Sequence, residues 1–399
     1  MATRGRLTGT PEAAPREATP AARRLRVVRV YYHLEVGGIE SRLLDLLPRL
    51  AGDRFEVRMI CTRRAGRLAP ELEARGVPVT VCRFRSRLPL FLAALPLARE
   101  LRRIAPDVVH AHGEVPAHAA TVAARRAGVP IVIANFHSVQ LFSKNAGRIR
   151  RERRQAPLRD AVIHVSESAR EDYDRRVGPG RARGVVLYNG VDVARFAAPL
   201  SGPRRSELAR ELGIEGACPV LLKAARFHRA KAHEDLLAAF VAVRRRHPRA
   251  VLVLAGDGRR RDEVEAAVAR LDLAGSVRLI GLRADLRDVY QLATLHAVSS
   301  TREGFSNVVL EAMAAGLPQV LTDVGGNREA IGDSGAALLV PPGQPPRLAE
   351  ALLAVLDDPG RARAMGAAAR RRVERFSIDE QVRRTERLYV ELARDKGLL

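Results

Sequence analysis

The sequence predicts an α/β fold of two doubly wound domains that face each other across a cleft. Apolar strands alternate with helices twice along the 399 residues, and a stretch rich in Pro, Gly and Ser at residues 197–205 separates the two series. The strands are continuously apolar, which is typical of a parallel sheet covered by helices on both faces. A chain of this length exceeds one ordinary core, so two domains are expected.

The first series spans residues 25–196 and forms the expected N-terminal domain. Apolar residues at helical spacing follow its first strand, over residues 39–50. Residues 1–24 contain no apolar run and are expected to be a disordered tail, not a signal peptide. The expected strands are residues 25–32, 57–61, 77–81, 107–111, 129–135, 161–165 and 184–187.

The second series spans residues 206–376, after a linker at residues 197–205, and forms the expected C-terminal domain. A last helix within residues 377–399 lies outside the alternation and is expected to pack back towards the N-terminal domain. Doubly wound sheets bind ligands at the carboxyl ends of their strands, so the cleft is the expected site. The expected strands are residues 220–225, 250–255, 277–281, 296–299, 319–322 and 336–340.

Two glutamates stand eight positions apart within residues 300–315. Glu303 lies in a turn-like segment, and Glu311 lies one turn into a helix that is expected to begin near Asn307. The first amides of such a helix favour an anion in front of it. Two carboxylates beside free amides suit a ligand with both hydroxyls and phosphates, and a nucleotide sugar is such a ligand.

Composition limits the class of protein. Three scattered cysteines form neither a disulfide framework nor a metal-ligand spacing, which fits a reducing cytoplasm. The most apolar run, residues 88–98, is too short to span a bilayer. The formal charge of +23 comes mostly from arginine. It reflects either a biased composition or an anionic partner, for which a membrane surface, a polyanionic acceptor and nucleic acid are the alternatives.

Six ordered motifs connect the two series. They are L-E-V-G-G-I-E (34–40), N-G-V-D (189–192), A-A-R-F (224–227) with Lys231 downstream, G-D-G (256–258), E-G-F-S-N-V-V-L-E-A-M-A-A-G-L-P (303–318) and T-D-V-G-G-N-R-E (322–329). With these motifs the chain, from residue 25 to its end, resembles the family-4 retaining glycosyltransferases, which depend on nucleotide sugars. The resemblance implies the GT-B fold, in which two Rossmann-like domains face each other across the donor site.

The resemblance also implies how the leaving diphosphate is neutralised. In this family an Arg and a Lys carry out that role without a metal, and they correspond to Arg226 and Lys231. Two fixed cations stabilise negative charge as it develops on the leaving group. The alternative for a single arginine in so basic a chain is a solvated surface residue. We expect no metal and no cofactor beyond the nucleotide diphosphate sugar itself.

The other implied roles concern binding of the donor. Glu311 would bind the ribose hydroxyls and Glu303 the hydroxyls of the transferred sugar, since one carboxylate accepts from two adjacent hydroxyls. Gly37 and Gly38 would let the backbone approach the diphosphate, with an ordinary tight turn as the alternative. The backbone amides of four further residues would complete the donor site, namely Gly304, Phe305, Ser306 and Asn307.

His137 ends a strand of the N-terminal domain, where the family carries a histidine near the sugar. The resemblance gives it a role in orienting donor or acceptor, with a histidine satisfied in a turn as the alternative. His110 is read as structural and His112 as a residue that lines the cleft. Retention without a carboxylate nucleophile implies front-face attack, in which the leaving phosphate oxygen accepts the proton of the acceptor.

Two alanines depart from the family pattern, and one tripeptide matches a motif of a different glycosyltransferase fold. Ala225 and Ala232 stand where the family commonly has glycine, so the conformation of the loop between them is an open question. Asp172-Tyr173-Asp174 spells the D-x-D signature of metal-dependent glycosyltransferases of the other main fold. It lies in a helical run, where positions two apart point in different directions, so we expect a solvated face there and not a metal site.

The predicted function is transfer of a hexosyl or N-acetylhexosaminyl unit to a cell-surface glycan, polysaccharide or glycolipid precursor. A UDP-sugar is the favoured donor, because Ser306 and Asn307 are polar, and GDP-mannose stays open. A sugar-nucleotide epimerase or phosphorylase of the same fold and a basic nucleic-acid-binding protein are the alternatives. We expect a cytoplasmic protein, peripheral at the inner face of the membrane if the basic segment from Lys144 to Arg154 binds an anionic leaflet. A solvated helix face is the alternative for that segment.

Overall fold

The computed structural model describes residues 23–83, 92, 94–139, 145–178, 182–214, 216 and 218–399. It contains one parallel sheet in each half of the chain, in the orders β3-β2-β1-β4-β5-β6-β7 and β10-β9-β8-β11-β12-β13. The strands are β1 Leu25–Tyr31, β2 Phe55–Cys61, β3 Val79–Val81, β4 Val108–His112, β5 Ile131–Phe136, β6 Ala161–His164, β7 Arg183–Val186, β8 Val220–Ala224, β9 Val251–Ala255, β10 Val277–Gly281, β11 Leu295–Val298, β12 Gln319–Thr322 and β13 Ala337–Val340.

Helices connect these strands and cover both faces of each sheet. In the N-terminal half they are α1 Gly38–Leu50, α2 Ala69–Ala74, α3 Leu95–Ile104, α4 Glu114–Ala127, α5 Ala146–Gln155 and α6 Glu167–Val177. In the C-terminal half they are α7 Val193–Ala197, α8 Gly202–Glu211, α9 His233–Arg246, α10 Arg261–Arg270, α11 Leu286–Leu292, α12 Asn307–Ala315, α13 Asn327–Ile331, α14 Pro345–Leu356, α15 Pro359–Val373 and α16 Ile378–Asp395.

The predicted fold class is confirmed. Every pairing within the two sheets is parallel, and the strand order reverses between β1 and β4 in the first sheet and between β8 and β11 in the second. Such reversals open a crevice at the carboxyl ends of the strands, where doubly wound proteins bind their ligands. Apolar clusters fill the space between each sheet and its helices on both faces. The two crevices belong to the two halves that meet at the candidate site.

The last helix, α16, lies against the N-terminal domain. It packs on α1, and its Tyr389 makes an edge contact with Phe55 of β2. The Tyr389 hydroxyl also accepts a hydrogen bond of 2.7 Å from Arg29 and lies 2.7 Å from Nδ1 of His110. Arg29 is 1% exposed, so this helix supplies polar partners to a guanidinium buried within the first sheet.

Two predicted segments differ from the structure or lie outside it. Residues 202–205 of the predicted linker belong to α8, because the Ser201 side chain caps the helix at the amide of Arg204 and Pro203 suits the first turn. The linker prediction was therefore too long at its C-terminal end. Residues 1–22 of the predicted tail lie outside the described residues. Arg23, the first described residue, pairs with Asp107 at 2.5 Å.

None of the described helices has the length and apolar character needed to cross a bilayer.

Gly190 gives a test of how α16 docks. A Cβ atom at this position would lie 2.8 Å from the Cα of Ile378 and 2.9 Å from the carbonyl oxygen of Ser377, where α16 begins. We expect Gly190→Ala to destabilise the protein by about 1–3 kcal/mol through overpacking. Thermal unfolding measures the effect.

Gly184→Ala is the matched control, because a Cβ atom there meets no atom within 4 Å. It should change stability by less than about 0.5 kcal/mol. Equal melting temperatures for the two variants would contradict close docking of the helix.

Candidate functional site

The candidate site lies where the carboxyl ends of the two sheets face each other. Arg226 follows β8, and Glu303 follows β11, the next strand in that sheet. His137 follows β5 on the opposite side. The side-chain oxygen of Ser166, which follows β6, donates a hydrogen bond of 2.8 Å to the carbonyl of Gly304. The two halves are therefore in direct contact along the edge of this site.

Lys231 and Glu303 form an ion pair at the centre of the site. Nζ of Lys231 lies 2.6 Å from Oε1 of Glu303, and the Ser300 hydroxyl donates to the same oxygen at 2.6 Å. The glutamate side chain is 8% exposed and the lysine side chain 26%. The sequence predicted separate partners for these two residues, a diphosphate for one and sugar hydroxyls for the other. The residue predicted to bind the diphosphate and the residue predicted to bind the sugar are therefore in direct contact.

Arg226 faces a buried carboxylate across the cleft. Its guanidinium is exposed, whereas Glu40 in the first turn of α1 is 4% exposed. Burial raises the pKa of Glu40, and the positive charge of Arg226 opposes that rise. The same charge opposes the rise that burial causes in the pKa of Tyr31. The positive charge of Arg226 therefore acts on both Glu40 and Tyr31 in the N-terminal domain.

Glu311 lies on α12 and is held by a buried tyrosine. Tyr290 donates a hydrogen bond of 2.9 Å to Oε2 of Glu311. Burial raises the pKa of Glu311, while this hydrogen bond and the charge of Arg42 oppose the rise. Tyr290 leaves the other carboxylate oxygen available to a hydroxyl ligand. The geometry is compatible with the predicted ribose contact, which stays a prediction.

Asn307, at the start of α12, connects the two domains through its side chain. Its amide nitrogen donates to the carbonyl of Gly38 at 2.7 Å, and its oxygen accepts from Arg42 at 2.6 Å and from Asn189 at 2.9 Å. Burial lowers the pKa of Arg42 to about 9, which leaves its guanidinium charged at neutral pH. Asn307 thus has a side-chain role in addition to its predicted amide.

The two glycines at the start of α1 lie close to polar side chains. Gly37 has φ of −176°, which any residue adopts. A Cβ atom there would lie 2.5 Å from Oε2 of Glu40, and one at Gly38 would lie 3.1 Å from Nδ2 of Asn307. The sequence predicted close approach of the backbone to a diphosphate at this turn. In the structure the close neighbours are protein side chains.

Gly304, Phe305 and Ser306 line the turn before α12. A Cβ atom at Gly304 would overlap the carbonyl oxygen of His137, so glycine is required where the domains touch. Phe305 is buried against Tyr188 and Phe376, and its carbonyl accepts from Asn189 at 3.0 Å. Ser306 makes no side-chain cap to the helix. Binding of an anion by the amides of the first turn stays a prediction.

His110, His112 and His137 form a column of stacked rings. His110 stacks on His112 with ring centroids 4.6 Å apart, and His112 stacks on His137 at 5.2 Å. Nδ1 of His112 lies 3.0 Å from Nε2 of His137. Burial, together with the charges of Arg42 and Arg29, lowers the pKa of His137 to about 3. A neutral imidazole faces the cleft, and its Nδ1 has no hydrogen-bond partner among the described residues.

The histidine column bears on the predicted roles of its members. His137 contacts His112 through Nε2 and has no partner at Nδ1 within the described residues, and its role in orienting donor or acceptor stays a prediction. His112 is 3% exposed and supports His137 from behind, so it does not line the cleft. His110 has the structural role predicted for it, since it contacts Arg29 and Tyr389.

The loop that carries Lys231 is a short 3-10 turn, Arg229–Lys231. Ala232 closes it with φ of 42° and ψ of 59°, a left-handed conformation that alanine adopts at a cost. The loop therefore takes the conformation expected of the family's glycine although alanine occupies the position. The Ser299 hydroxyl donates to the Ala232 carbonyl at 2.7 Å and so supports that turn.

A cavity of about 240 Å³ adjoins the Glu303 loop. One wall is α6, and the other consists of the turns at residues 301–302 and 324–325; the lining side chains on α6 are Ser168, Glu171, Asp172 and Arg175. Asp172 pairs with Arg176 at 2.8 Å, and Tyr173 between the two aspartates is buried. Within the described ranges, no group of three or more His, Cys, Asp or Glu side chains is placed to hold a metal ion. Metal independence stays a prediction.

Glu329 was part of a predicted motif, but its role was not foreseen. It lies on α13 in the C-terminal half, and its carboxylate accepts hydrogen bonds of 2.8 Å each from the amides of Glu167 and Ser168. The Tyr188 hydroxyl donates to it at 3.2 Å. Glu329 therefore caps α6 of the opposite domain, where a carboxylate also complements the helix dipole.

Removing this cap tests whether it holds the domains together. We expect Glu329→Ala to weaken the closed arrangement by about 0.5–2 kcal/mol, the usual cost of losing a helix cap. The radius of gyration from small-angle X-ray scattering should increase. Glu350→Ala, on an exposed face of α14 in the same half, is the control and should leave it unchanged. Identical scattering from the Glu329 variant and the native chain would rule out a role in closure.

The comparisons with known proteins agree on the family. The family model described as "Glycosyltransferase Family 4" matches residues 36–195, and that described as "Glycosyl transferases group 1" matches residues 204–372. The chain is 30% identical to a D-inositol 3-phosphate glycosyltransferase of Kineococcus radiotolerans, across 91% of this chain and 92% of the relative. It is 31% identical to a glycogen synthase of Mycobacterium tuberculosis, across 73% of this chain and 70% of the relative.

Solved structures share the fold. A glycosyltransferase from Rickettsia africae superposes with a TM-score of 0.82 at 20% identity, covering 92% of this chain and 98% of the other. Anabaena HepE in complex with UDP-glucose superposes with a TM-score of 0.80 at 22% identity, covering 94% of this chain and all of the other.

Proposed function

This chain belongs to the family-4 glycosyltransferases of the GT-B fold, and we propose that it transfers a hexosyl or N-acetylhexosaminyl unit from a nucleotide diphosphate sugar with retention of anomeric configuration. The contact between Lys231 and Glu303 carries the proposal, because it joins a cation suited to the diphosphate to a carboxylate suited to the sugar. Family membership favours transfer over the epimerase, phosphorylase and nucleic-acid-binding alternatives.

The donor would occupy the cleft beside the Lys231–Glu303 pair, next to the turn before α1 and the start of α12, which contact each other through Asn307 and Gly38. Arg226 and Lys231 would bind the diphosphate, helped by the first amides of α12. Lys231 then exchanges part of its contact with Glu303 for the phosphate oxygens. That exchange leaves the carboxylate oxygens of Glu303 free to accept hydrogen bonds from the hydroxyls of the sugar. Glu311, already oriented by Tyr290, would accept from the ribose hydroxyls.

The reaction that suits this arrangement is front-face transfer. The bond between the anomeric carbon and the leaving phosphate oxygen breaks while the acceptor oxygen forms its bond on the same face. The acceptor hydroxyl proton passes to that phosphate oxygen. His137 is neutral at physiological pH, so it would orient a hydroxyl through its unpartnered Nδ1 and would not act as a cation. Arg226 and Lys231 supply the positive charge without a metal.

A UDP-sugar is the donor we propose first, with GDP-mannose as the alternative. Anabaena HepE, which shares the fold, has been solved with UDP-glucose. The acceptor we propose is a hydroxyl of a glycan, polysaccharide or glycolipid precursor. Among the relatives, the one from Kineococcus radiotolerans is named D-inositol 3-phosphate glycosyltransferase. A phosphorylated polyol is therefore a further acceptor class to include in a screen.

The cation on the 3-10 turn provides the test of function. We expect Lys231→Met to lower kcat for transfer from a UDP-sugar by about 100-fold or more, since one lost electrostatic partner of a developing oxyanion costs that much. Assays contain EDTA, because a metal-independent reaction keeps its rate there. A screen of UDP- and GDP-sugars by thermal shift identifies the donor first.

Arg229→Gln is the control, because this exposed cation lies on the same turn and outside the pair with Glu303. It should retain most of the activity. Unchanged turnover in the Lys231 variant would refute the proposed role of the pair.

The basic helix α5 is the part of the chain we propose for contact with an anionic membrane surface. Lys144, the first residue of the predicted segment, lies outside the described residues. Arg148 faces Glu114 at 3.4 Å, and Arg153 donates to the carbonyls of Val177 and Arg176. These two arginines are therefore engaged within the domain. The outward-facing charge belongs to the exposed side chains of Arg150, Arg151 and Arg154.

Co-sedimentation with anionic liposomes tests this surface. Replacing Arg150, Arg151 and Arg154 by Gln should lower the partition coefficient by about 10- to 100-fold, at roughly 1 kcal/mol per basic residue near the surface. Replacing Arg361, Arg363 and Arg371 on α15 by Gln removes the same charge elsewhere and should have little effect. Equal losses in both triple variants would mean that total charge, and not this helix, governs binding.

A further inference from the structure

Lys223 is a buried cation that the proposed reaction does not use. It lies in β8, is 1% exposed and forms no ion pair within the part of the chain that the structure describes. Its ammonium donates one hydrogen bond, of 2.8 Å, to the hydroxyl of Ser299. A buried ammonium without a carboxylate partner is costly, so burial favours the neutral amine until a negative charge arrives nearby.

Ser299 connects this ammonium to the turn that carries Lys231. The Ser299 hydroxyl accepts from Lys223 and donates to the carbonyl of Ala232 at 2.7 Å. Ala232 is the residue in the left-handed conformation that closes the 3-10 turn. Lys223 therefore lies one hydrogen-bonded step below the loop of the proposed diphosphate site.

Charged groups from several neighbouring segments act on the pKa of Lys223. Burial and then the like charge of Lys231 lower the pKa of Lys223 to about 7, while Glu303, Asp235 and Glu234 act in the opposite direction. Two buried histidines approach it from α9 and β11. Burial lowers the pKa of His233 to about 2 and that of His296 to about 4, so both are neutral around pH 7.

We propose that Lys223 is a positioning residue of the diphosphate site, which takes up a proton when a dianion binds at Lys231 and then holds the Lys231 turn as a charged ammonium through Ser299. The inference rests on the proposed function, because that function supplies the dianion. Lys223 does not touch the donor; it acts through Ser299 and through its charge.

The direction of the linkage follows from the charges. A bound diphosphate cancels the repulsion from Lys231 and adds attraction, so it favours the charged form of Lys223. Above pH 7 the free protein carries the neutral amine, and binding therefore takes up a proton. By linkage, the affinity for a nucleotide diphosphate increases as the pH falls from about 8.5 to about 7, by up to about tenfold.

Isothermal titration calorimetry with UDP at about pH 8 measures the proton uptake. Titrations in Tris and in HEPES, which differ in ionisation enthalpy, should show uptake of about one proton per site in the native chain, because a group with a pKa near 7 is about nine-tenths neutral there. Lys223→Met keeps the length of the side chain, removes the titrating group and should abolish the uptake. GDP replaces UDP if UDP does not bind.

Two further variants test whether another titrating group takes up the proton and whether Ser299 connects Lys223 to the turn. Glu40→Gln removes a buried carboxylate that faces Arg226, and the proton uptake should persist in it. Ser299→Ala keeps Lys223 but breaks the link to Ala232, so uptake should persist while kcat falls at least about tenfold. A structural role alone for Lys223 would leave proton uptake unchanged in Lys223→Met.

The possible failures are distinguishable. Binding of UDP or GDP without proton uptake, or with equal uptake in Lys223→Met, overturns this inference and leaves the proposed function standing. Absence of binding by both nucleotides to the native chain overturns the proposed function and, with it, this inference.

Discussion

Positive charge held at the facing carboxyl edges of two parallel sheets is the constraint on which the rest of the structure depends. Arg29, Arg42 and Lys223 are buried there, and none forms an ion pair within the described ranges. Each is instead held by neutral donors and acceptors, namely Tyr389, Asn307 and Ser299. Neutral partners leave the charge uncancelled, so the cleft attracts anions. The Glu303 carboxylate, which contacts Lys231 at 2.6 Å, is the partner that the proposed donor would displace.

The fold could be predicted from the sequence because it depends on local patterns, and the donor residues, which stay a prediction, were chosen from local motifs as well. Apolar strands punctuated by turns indicate parallel sheets, and two glutamates around a helix start indicate a site for hydroxyls and phosphate. Arg42, Glu329 and Lys223 could not be found in this way. Their roles arise from contacts between segments far apart in the chain, and an arginine or lysine in so basic a sequence carries no local signal.

The glycines show where a correct motif led to an incomplete physical reason. At Gly37 and Gly38 the motif suggested backbone exposed to a ligand, and the structure places side chains from α1 and α12 there. Gly325 is different, since its φ of 51° and its closeness to the Glu303 carbonyl both require glycine. At Ala232 the family's glycine conformation survives without glycine, because Ser299 supports the turn. Residue identity alone did not distinguish these three cases.

The contact between Gly304 and the His137 carbonyl has a kinetic meaning. The domains touch there and at Gly38, near the Lys231–Glu303 pair, in which the lysine side chain is 26% exposed and the glutamate side chain 8%. An activated sugar enclosed by these walls would be protected from wasteful hydrolysis. If the halves part at these contacts to admit a donor, that opening is a step of the catalytic cycle in addition to bond making.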